Sequence, residues 1–225
     1  MFEDEEESKH SVEILTYDFP VSKIQLQIKT MKLHVGVSRS VWKASVIMAR
    51  YLETLLPDLQ NVNTVLELGS GTGLGGIFAR TLLKEAETVY MTDICTKSLQ
   101  MIRENILLNM TSGEISVNYL EWGKHDINHE LNDDKAFPTE HQGQFDLIIA
   151  SDVVYIPECL QPLLQSIKHF MKPTGTCLLV NNRIRQDLFI DRFDGMLDQA
   201  GLKKSKEDEV IEGADKFKVY LLTHQ

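Results

Sequence analysis

Glu67, Gly69, Gly71 and Gly73 stand at alternate positions within Val-Leu-Glu-Leu-Gly-Ser-Gly-Thr-Gly-Leu-Gly-Gly (65–76), an apolar run that breaks into glycines and then turns apolar again. That order reads as strand, tight loop and helix start. Glycine admits positive φ and carries no Cβ, so a ligand can lie against bare backbone beside a helix N-terminus. Asp93 ends a second apolar run, 88–93, twenty residues after Gly73. In a βαβ unit, that is where a carboxylate meets ribose hydroxyls.

Two cofactor patterns fit these residues. Gly71-Thr72-Gly73-Leu74-Gly75-Gly76 satisfies G-x-G-x-x-G, which implies a dinucleotide. Glu67-Leu68-Gly69-Ser70-Gly71-Thr72-Gly73 satisfies the acidic-x-G-x-G-x-G pattern of enzymes that use S-adenosylmethionine (SAM). A carboxylate at the strand end suits a ligand bearing an ammonium and a sulfonium, and does not suit a pyrophosphate. Glu67 therefore favours SAM.

The elements that must hold these residues follow from periodicity. Residues 12–17 and 23–28 alternate apolar and polar around Asp-Phe-Pro, which predicts an antiparallel hairpin ahead of the main unit. Over 40–56 the apolar positions Val41, Trp42, Val46, Ala49, Leu52, Leu55 and Leu56 share a helical face with Ser45, and Pro57 ends the helix. From 64 onward, strand and helix alternate: strands at 64–68, 88–92, 115–120, 145–150 and 175–181, helices at 73–84, 96–109, 157–171 and 187–200. The polar stretch 123–144 is expected to be a loop insertion. Two final strands, 202–210 and 217–222, flank Glu-Gly-Ala-Asp, so the last one turns back against the rest. The expected fold is α/β: a Rossmann-like, seven-stranded, mostly parallel sheet with an antiparallel last strand and helices on both faces, preceded by the hairpin. Its divisions are an acidic disordered tail (1–10), the hairpin and first helix packed on the core (11–60), and the cofactor-binding unit (61–225).

Composition narrows the partners. In 225 residues the formal charge is -10, which argues against a protein that holds nucleic acid chiefly through phosphates. A basic partner suits that balance better. Glu3-Asp-Glu-Glu-Glu7 reads as a solvated, solubilising start. No basic-then-apolar leader opens the chain and no apolar run reaches the ~20 residues that span a bilayer. The expected location is the cytoplasm, with a nuclear pool as the second expectation. Cys95, Cys159 and Cys177 are widely spaced and read as reduced thiols. His125, His129 and His141 fall in the polar loop, and no metal is expected.

Four segments together carry a family resemblance. Glu-Leu-Gly-Ser-Gly-Thr-Gly-Leu (67–74), Thr-Asp (92–93), Glu-Trp-Gly (121–123) and Ser-Asp-Val-Val-Tyr (151–155) resemble the seven-β-strand protein lysine methyltransferases grouped as lysine methyltransferase family 16. Val41-Trp42 and the helix ending Tyr-Leu-Glu (51–53) add to the likeness, which runs from about 36 to the C-terminus. It implies a class I methyltransferase that transfers a methyl group from SAM to lysine side chains of non-histone proteins, with elongation factors and chaperones among the family's targets. Glu67, Gly69, Gly71 and Gly73 would face the methionine part of SAM, Asp93 the ribose and Trp122 the adenine. Trp42 would border the cofactor, although an aromatic on an apolar helix face suits the core as well. Ala150, at the end of the fourth strand, joins the same cofactor set. Asp152 and Tyr155 would stand at the substrate channel as the catalytic pair. Glu121 departs from the family, whose members usually carry Asp before the Trp.

The valines of Asp-Val-Val-Tyr also separate the chain from methyltransferases of base amino groups, which carry two prolines there. The expected partner is a protein bearing the target lysine, with no nucleic acid and no membrane, and the expected state is a monomer. A fold retained only for binding and a small-molecule methyltransferase are the competing readings.

Overall fold

The structure is a computed structural model that describes residues 12–32, 37–111, 113–124, 136–137, 141–187 and 190–225. The acidic start, and His125 and His129 with most of the polar stretch around them, lie outside the described residues. The strands are β1 (Val12–Phe19), β2 (Ile24–Met31), β3 (Thr64–Leu68), β4 (Thr88–Asp93), β5 (Glu114–Tyr119), β6 (Phe145–Ser151), β7 (Met171–Asn182), β8 (Leu202–Glu212) and β9 (Asp215–His224). The helices are α1 (Lys43–Leu55), α2 (Leu74–Leu82), α3 (Thr96–Asn109), α4 (Pro157–Phe170), α5 (Arg183–Gln186) and α6 (Ile190–Ala200).

Seven strands form one sheet in the order β5-β4-β3-β6-β7-β9-β8. β3 to β7 are parallel, and β9 inserts antiparallel between β7 and β8, as the short final turn requires. Because β3 pairs with both β4 and β6, the strand order reverses at its C-terminal end. That is where an open α/β sheet leaves a crevice for ligands. Period-two alternation then divides the core into two layers. Val65, Ile149, Val180 and Val219 face α1, α2, α3 and the hairpin, while Leu66, Ile148, Leu179 and Tyr220 face α4 and α6.

Several boundaries move. The hairpin turn falls at residues 20–23 and not at Asp-Phe-Pro, because Phe19 is needed inside: its ring is fully buried and lies 4.4 Å from that of Phe78 on α2. α1 buries Ala49, Leu52 and Leu55 as expected, but its first half turns differently: Ala44, Ile47 and Met48 are buried, whereas Val41, Trp42, Ser45 and Val46 lie at intermediate depth. Trp42 precedes the helix in extended conformation, so it never joins the helical periodicity. β7 begins four residues before 175, since Met171 pairs with Phe145 ahead of a register shift. The helix expected at 187–200 is α6, which begins at Ile190, and the short α5 precedes the expected range.

Candidate active site

The loop after β3 departs from strand geometry at each alternate residue: Gly69, Gly71 and Gly73 have φ of 71°, 56° and 86°. These are left-handed conformations that a side chain would strain. The loop is fixed to the next strand, since Ser70 N donates to Thr92 O at 2.9 Å and Gly71 N donates to Asp93 Oδ2 at 2.9 Å. Gly73 N donates to Ser70 O and then starts α2 as its N-cap. Asp93 Oδ1 accepts from Cys95 N at 2.8 Å, so the carboxylate bridges the glycine loop and the entry to α3. Burial raises its pKa, against the pull of these backbone amides.

Glu67 points to the face of β3 that carries α2. Its carboxylate lies where Cβ atoms on Gly75 and Gly76 would collide with it. Oε2, together with the hydroxyl of Ser70, is buried without a hydrogen-bond partner. Burial pushes the Glu67 carboxyl up to about 8. Two buried polar atoms without partners beside bared backbone are what a cationic, hydrogen-bonding ligand would satisfy.

Two walls stand over the loop. Trp122 and Val153 lie against Gly69, where a Cβ would come within 3.2 Å of Trp122 Cζ2 and 2.8 Å of Val153 Cγ1. On the other side, Ser38 O approaches Gly71 and accepts from Ser98 Oγ at 3.3 Å, so the short turn at 37–39 lies over the loop. Ser40 Oγ donates to Met31 O at 2.8 Å and ties that segment to the hairpin.

Asp152 follows β6 in the left-handed region, with φ of 55°. Its N–H donates to Val180 O at 2.8 Å, its Oδ1 accepts from Asn182 N at 3.2 Å and its Oδ2 accepts from Arg185 Nη1 at 3.0 Å. Burial raises this carboxyl, and Arg185 and the Asn182 amide oppose the rise. The Arg185 guanidinium also lies over the Trp42 ring, with Cζ 4.0 Å from its centroid. Asn182 positions the arginine by accepting from Ile184 N at the start of α5. Tyr155 is half exposed; burial raises its phenol, with Asp93, Cys159 and Asp152 acting in the same direction and Arg185 against them.

The structure thus brings together the glycine loop, Asp93, Trp122, Asp152, Tyr155 and, through Arg185, Trp42. Ala150 differs: its side chain is fully buried in the layer toward α4, which leaves only its backbone for any ligand. Arg183, two residues before Arg185, is bound to Asp187 and Glu209. Among the described residues no group of three or more His, Cys, Asp or Glu is placed to hold a metal, and no helix is long and apolar enough to cross a membrane. His141 packs among Tyr90, Phe137 and Phe145. A groove beside Lys168, His169 and His224 lies by the opposite end of β7 from Asp152.

Sequence reasoning missed Ser38, Asn182 and the pairing of Arg185 with Asp152. None has a linear signature: Arg185 is 33 residues from Asp152 and 143 from Trp42. Only the parallel pairing of β6 with β7, Ser151 opposite Val180, sets them side by side.

Comparison with known proteins gives a consistent picture. A family profile described as lysine methyltransferase matches residues 21–196. It takes in the second hairpin strand, further toward the N-terminus than the motifs reach, and stops before the last two strands. The protein N-lysine methyltransferase METTL21A of Xenopus tropicalis is 32% identical over 161 residues, 71% of this chain and 67% of that protein. The EEF1A lysine methyltransferase 3 of Mus musculus is 31% identical over 148 residues, 65% of this chain and 56% of that protein. Among solved structures, a TehB-like SAM-dependent methyltransferase from Corynebacterium glutamicum superposes with a TM-score of 0.55 at 16% identity, covering 80% of this chain and 98% of that one, a likeness of fold.

Proposed function

The chain belongs to the lysine methyltransferase family, whose members methylate protein lysines with SAM, and from that premise we propose how its residues divide the work and which proteins receive the methyl group. The observation that carries the assignment of residues is the meeting of Asp152-Val-Val-Tyr155, at the C-terminal end of β6, with the glycine loop of the adjacent β3.

The residues present fit SAM. Gly69, Gly71 and Gly73 leave the backbone open, Asp93 offers a carboxylate for ribose hydroxyls, Trp122 a ring face for adenine, and Glu67 with Ser70 buried acceptors for an ammonium. When bound, the cofactor supplies an activated methyl carbon on a positively charged sulfur. The protein's task is to bring a neutral amine into line and to exclude water. Neutralising a lysine of pKa ≈ 10.4 at pH 7 costs roughly 4 to 5 kcal/mol, and a free carboxylate beside the amine would increase that cost. Asp152 therefore docks and orients the amine and does not serve as its base. Tyr155 offers its ring face and its hydroxyl at the half-exposed mouth.

The acceptor is a non-histone protein of the elongation-factor or chaperone kind, and the chain acts on it as a cytoplasmic monomer. One relative's name specifies EEF1A as its own substrate, which supports this choice of class. Two measurements test the reading. Calorimetry with SAM is expected to give saturable binding, and absence of binding defeats the cofactor assignment. Incubation with cell lysate and radiolabelled SAM is expected to label a protein band that yields methyllysine on acid hydrolysis. Asp152→Ala is expected to lower that labelling at least about 100-fold with SAM affinity largely kept, the pattern of a lost orienting contact. A labelled metabolite with no methyllysine would assign the chain to small-molecule chemistry.

A further inference from the structure

Asp152 raises a problem that the site itself answers. An acid is needed to bring a cationic side chain to the methyl-transfer position, yet a buried carboxylate holds the proton on that side chain. In the structure the carboxylate is not alone: Arg185 Nη1 is 3.0 Å from Oδ2, and the acid's side chain is only 5% exposed. The guanidinium is held in turn by the Trp42 ring, 4.0 Å below it, and by the Asn182 cap that starts α5.

Building on the lysine methyltransferase reading, we infer that Arg185 is the residue that keeps the acceptor amine neutral: paired with Asp152, it lets the acid orient the lysine without stabilising the ammonium. Arg185 acts through Asp152 and is a positioning residue. Its charge offsets that of the carboxylate, so an arriving ammonium gives its proton to solvent where Tyr155 is half exposed, and the neutral amine remains hydrogen-bonded to Asp152. Each carboxylate oxygen has two lone pairs, and the observed bonds use one on each, so an acceptor remains for an amine N–H. The other titratable groups that act on this region are Asp93, Tyr155 and Cys159. Asp93 is committed to the amides of Gly71 and Cys95, on the cofactor side. Arg183, two residues before Arg185, pairs with Asp187 and Glu209, so it does not substitute.

The alternative for the same contact is occlusion, in which Arg185 sits on Asp152 as a stand-in for lysine and must leave. The two differ in sign. The test follows Arg185→Gln and Arg185→Met, the latter keeping an apolar stem on Trp42, with the lysate and radiolabelled SAM as probe. Labelling of the wild-type protein's band is compared from about pH 6.5 to about pH 9.5, and the variant-to-wild-type ratio at each pH cancels effects of pH on the acceptor.

Losing a positive charge this close is expected to raise the acceptor's pKa by ~1 unit, so the ratio falls to about one tenth near pH 7 and climbs toward unity at the alkaline end. Arg185→Lys, which keeps a charge, is expected to restore the wild-type profile. A ratio that is low and flat across pH reduces Arg185 to packing, and a ratio above one makes it an occluding residue; either overturns the inference. SAM calorimetry and thermal unfolding on each variant identify one that has not folded, and the other neutral variant then decides. If the wild-type protein itself labels no protein, the lysine methyltransferase reading fails first. A wild-type band with a flat ratio defeats only the role of Arg185.

Discussion

Glu67 is a carboxyl held where its charged form is disfavoured. Its carboxyl is fully buried and pushed up to about 8, above the ordinary value of 4.5, so the folded chain keeps a proton that the unfolded chain releases. The sign follows: stability is fully present below about pH 4.5 and is lost as pH rises toward 8, with Asp93, also raised by burial, acting in the same direction. At 1.36 kcal/mol per unit, the loss attributable to Glu67 is on the order of 3–5 kcal/mol. Glu67→Gln is expected to abolish that part. Denaturant unfolding of the cofactor-free protein at about pH 5.5 and about pH 8.5 checks it: the wild-type midpoint drops clearly between the two while that of the variant moves less. Parallel curves would mean that Glu67 is ionised throughout. The acid was legible in the sequence because it stands two residues before Gly69 at a strand's end. Its direction was not, since period-two alternation assigns Glu67 to the same face as Val65 but does not say that α2 closes over it.

At the scale of elements, the start of α2 is built to leave that acid room. Gly75 lies inside the helix, where Ala would ordinarily gain about 1 kcal/mol, but a Cβ there would overlap Glu67 Oε1 and Met48 Cε. Overpacking costs about 1–3 kcal/mol, and both neighbours are buried, so the clash outweighs the propensity. Gly75→Ala is expected to destabilise by about 1–2 kcal/mol, whereas Gly195→Ala in α6, with nothing within 4 Å of its Cβ, is expected to stabilise by up to about 1 kcal/mol. Thermal unfolding of the two variants side by side reads the opposite signs. The elements themselves were largely legible. α3 has the bounds that its periodicity indicates, and the parallel strands read as apolar runs because both of their faces are covered. Where the reading failed, a tertiary contact had overridden the local pattern. Phe19 reads as a turn residue beside Pro20 until Phe78 is placed against it, and the first half of α1 was misjudged because Trp42, extended and stacked under Arg185, was counted into its period.

For the whole molecule, the question is what makes a two-stranded hairpin part of the enzyme, since such a hairpin is marginal alone. Apolar docking is one part: Phe19, Leu26 and Ile28 are buried against the main core. The other is hydrogen bonding, in which one amide reaches furthest. Asn105 on α3 is fully buried; its Oδ1 accepts from Lys29 N at 2.6 Å, and its Nδ2 donates to Lys29 O at 2.9 Å and to Thr72 O at 2.8 Å. One side chain therefore ties the hairpin, α3 and the glycine loop together, and Asn109 repeats the grip on Gln27 one turn later. Asn105→Ala leaves one donor and two acceptors unpaired on two segments, β2 and the glycine loop. At about 1–3 kcal/mol for each unpaired group, relieved by relaxation and by water at the hairpin's edge, the expected loss is about 3 kcal/mol. The distribution of that loss is the sharper outcome. Hydrogen exchange at Lys29 and its neighbours in β2 is expected to accelerate more than exchange in β6 and β7, and SAM affinity is expected to fall as the loop at Thr72 loosens. An unchanged SAM affinity beside a loosened hairpin would make the hairpin a separate attachment, and the cofactor loop independent of it.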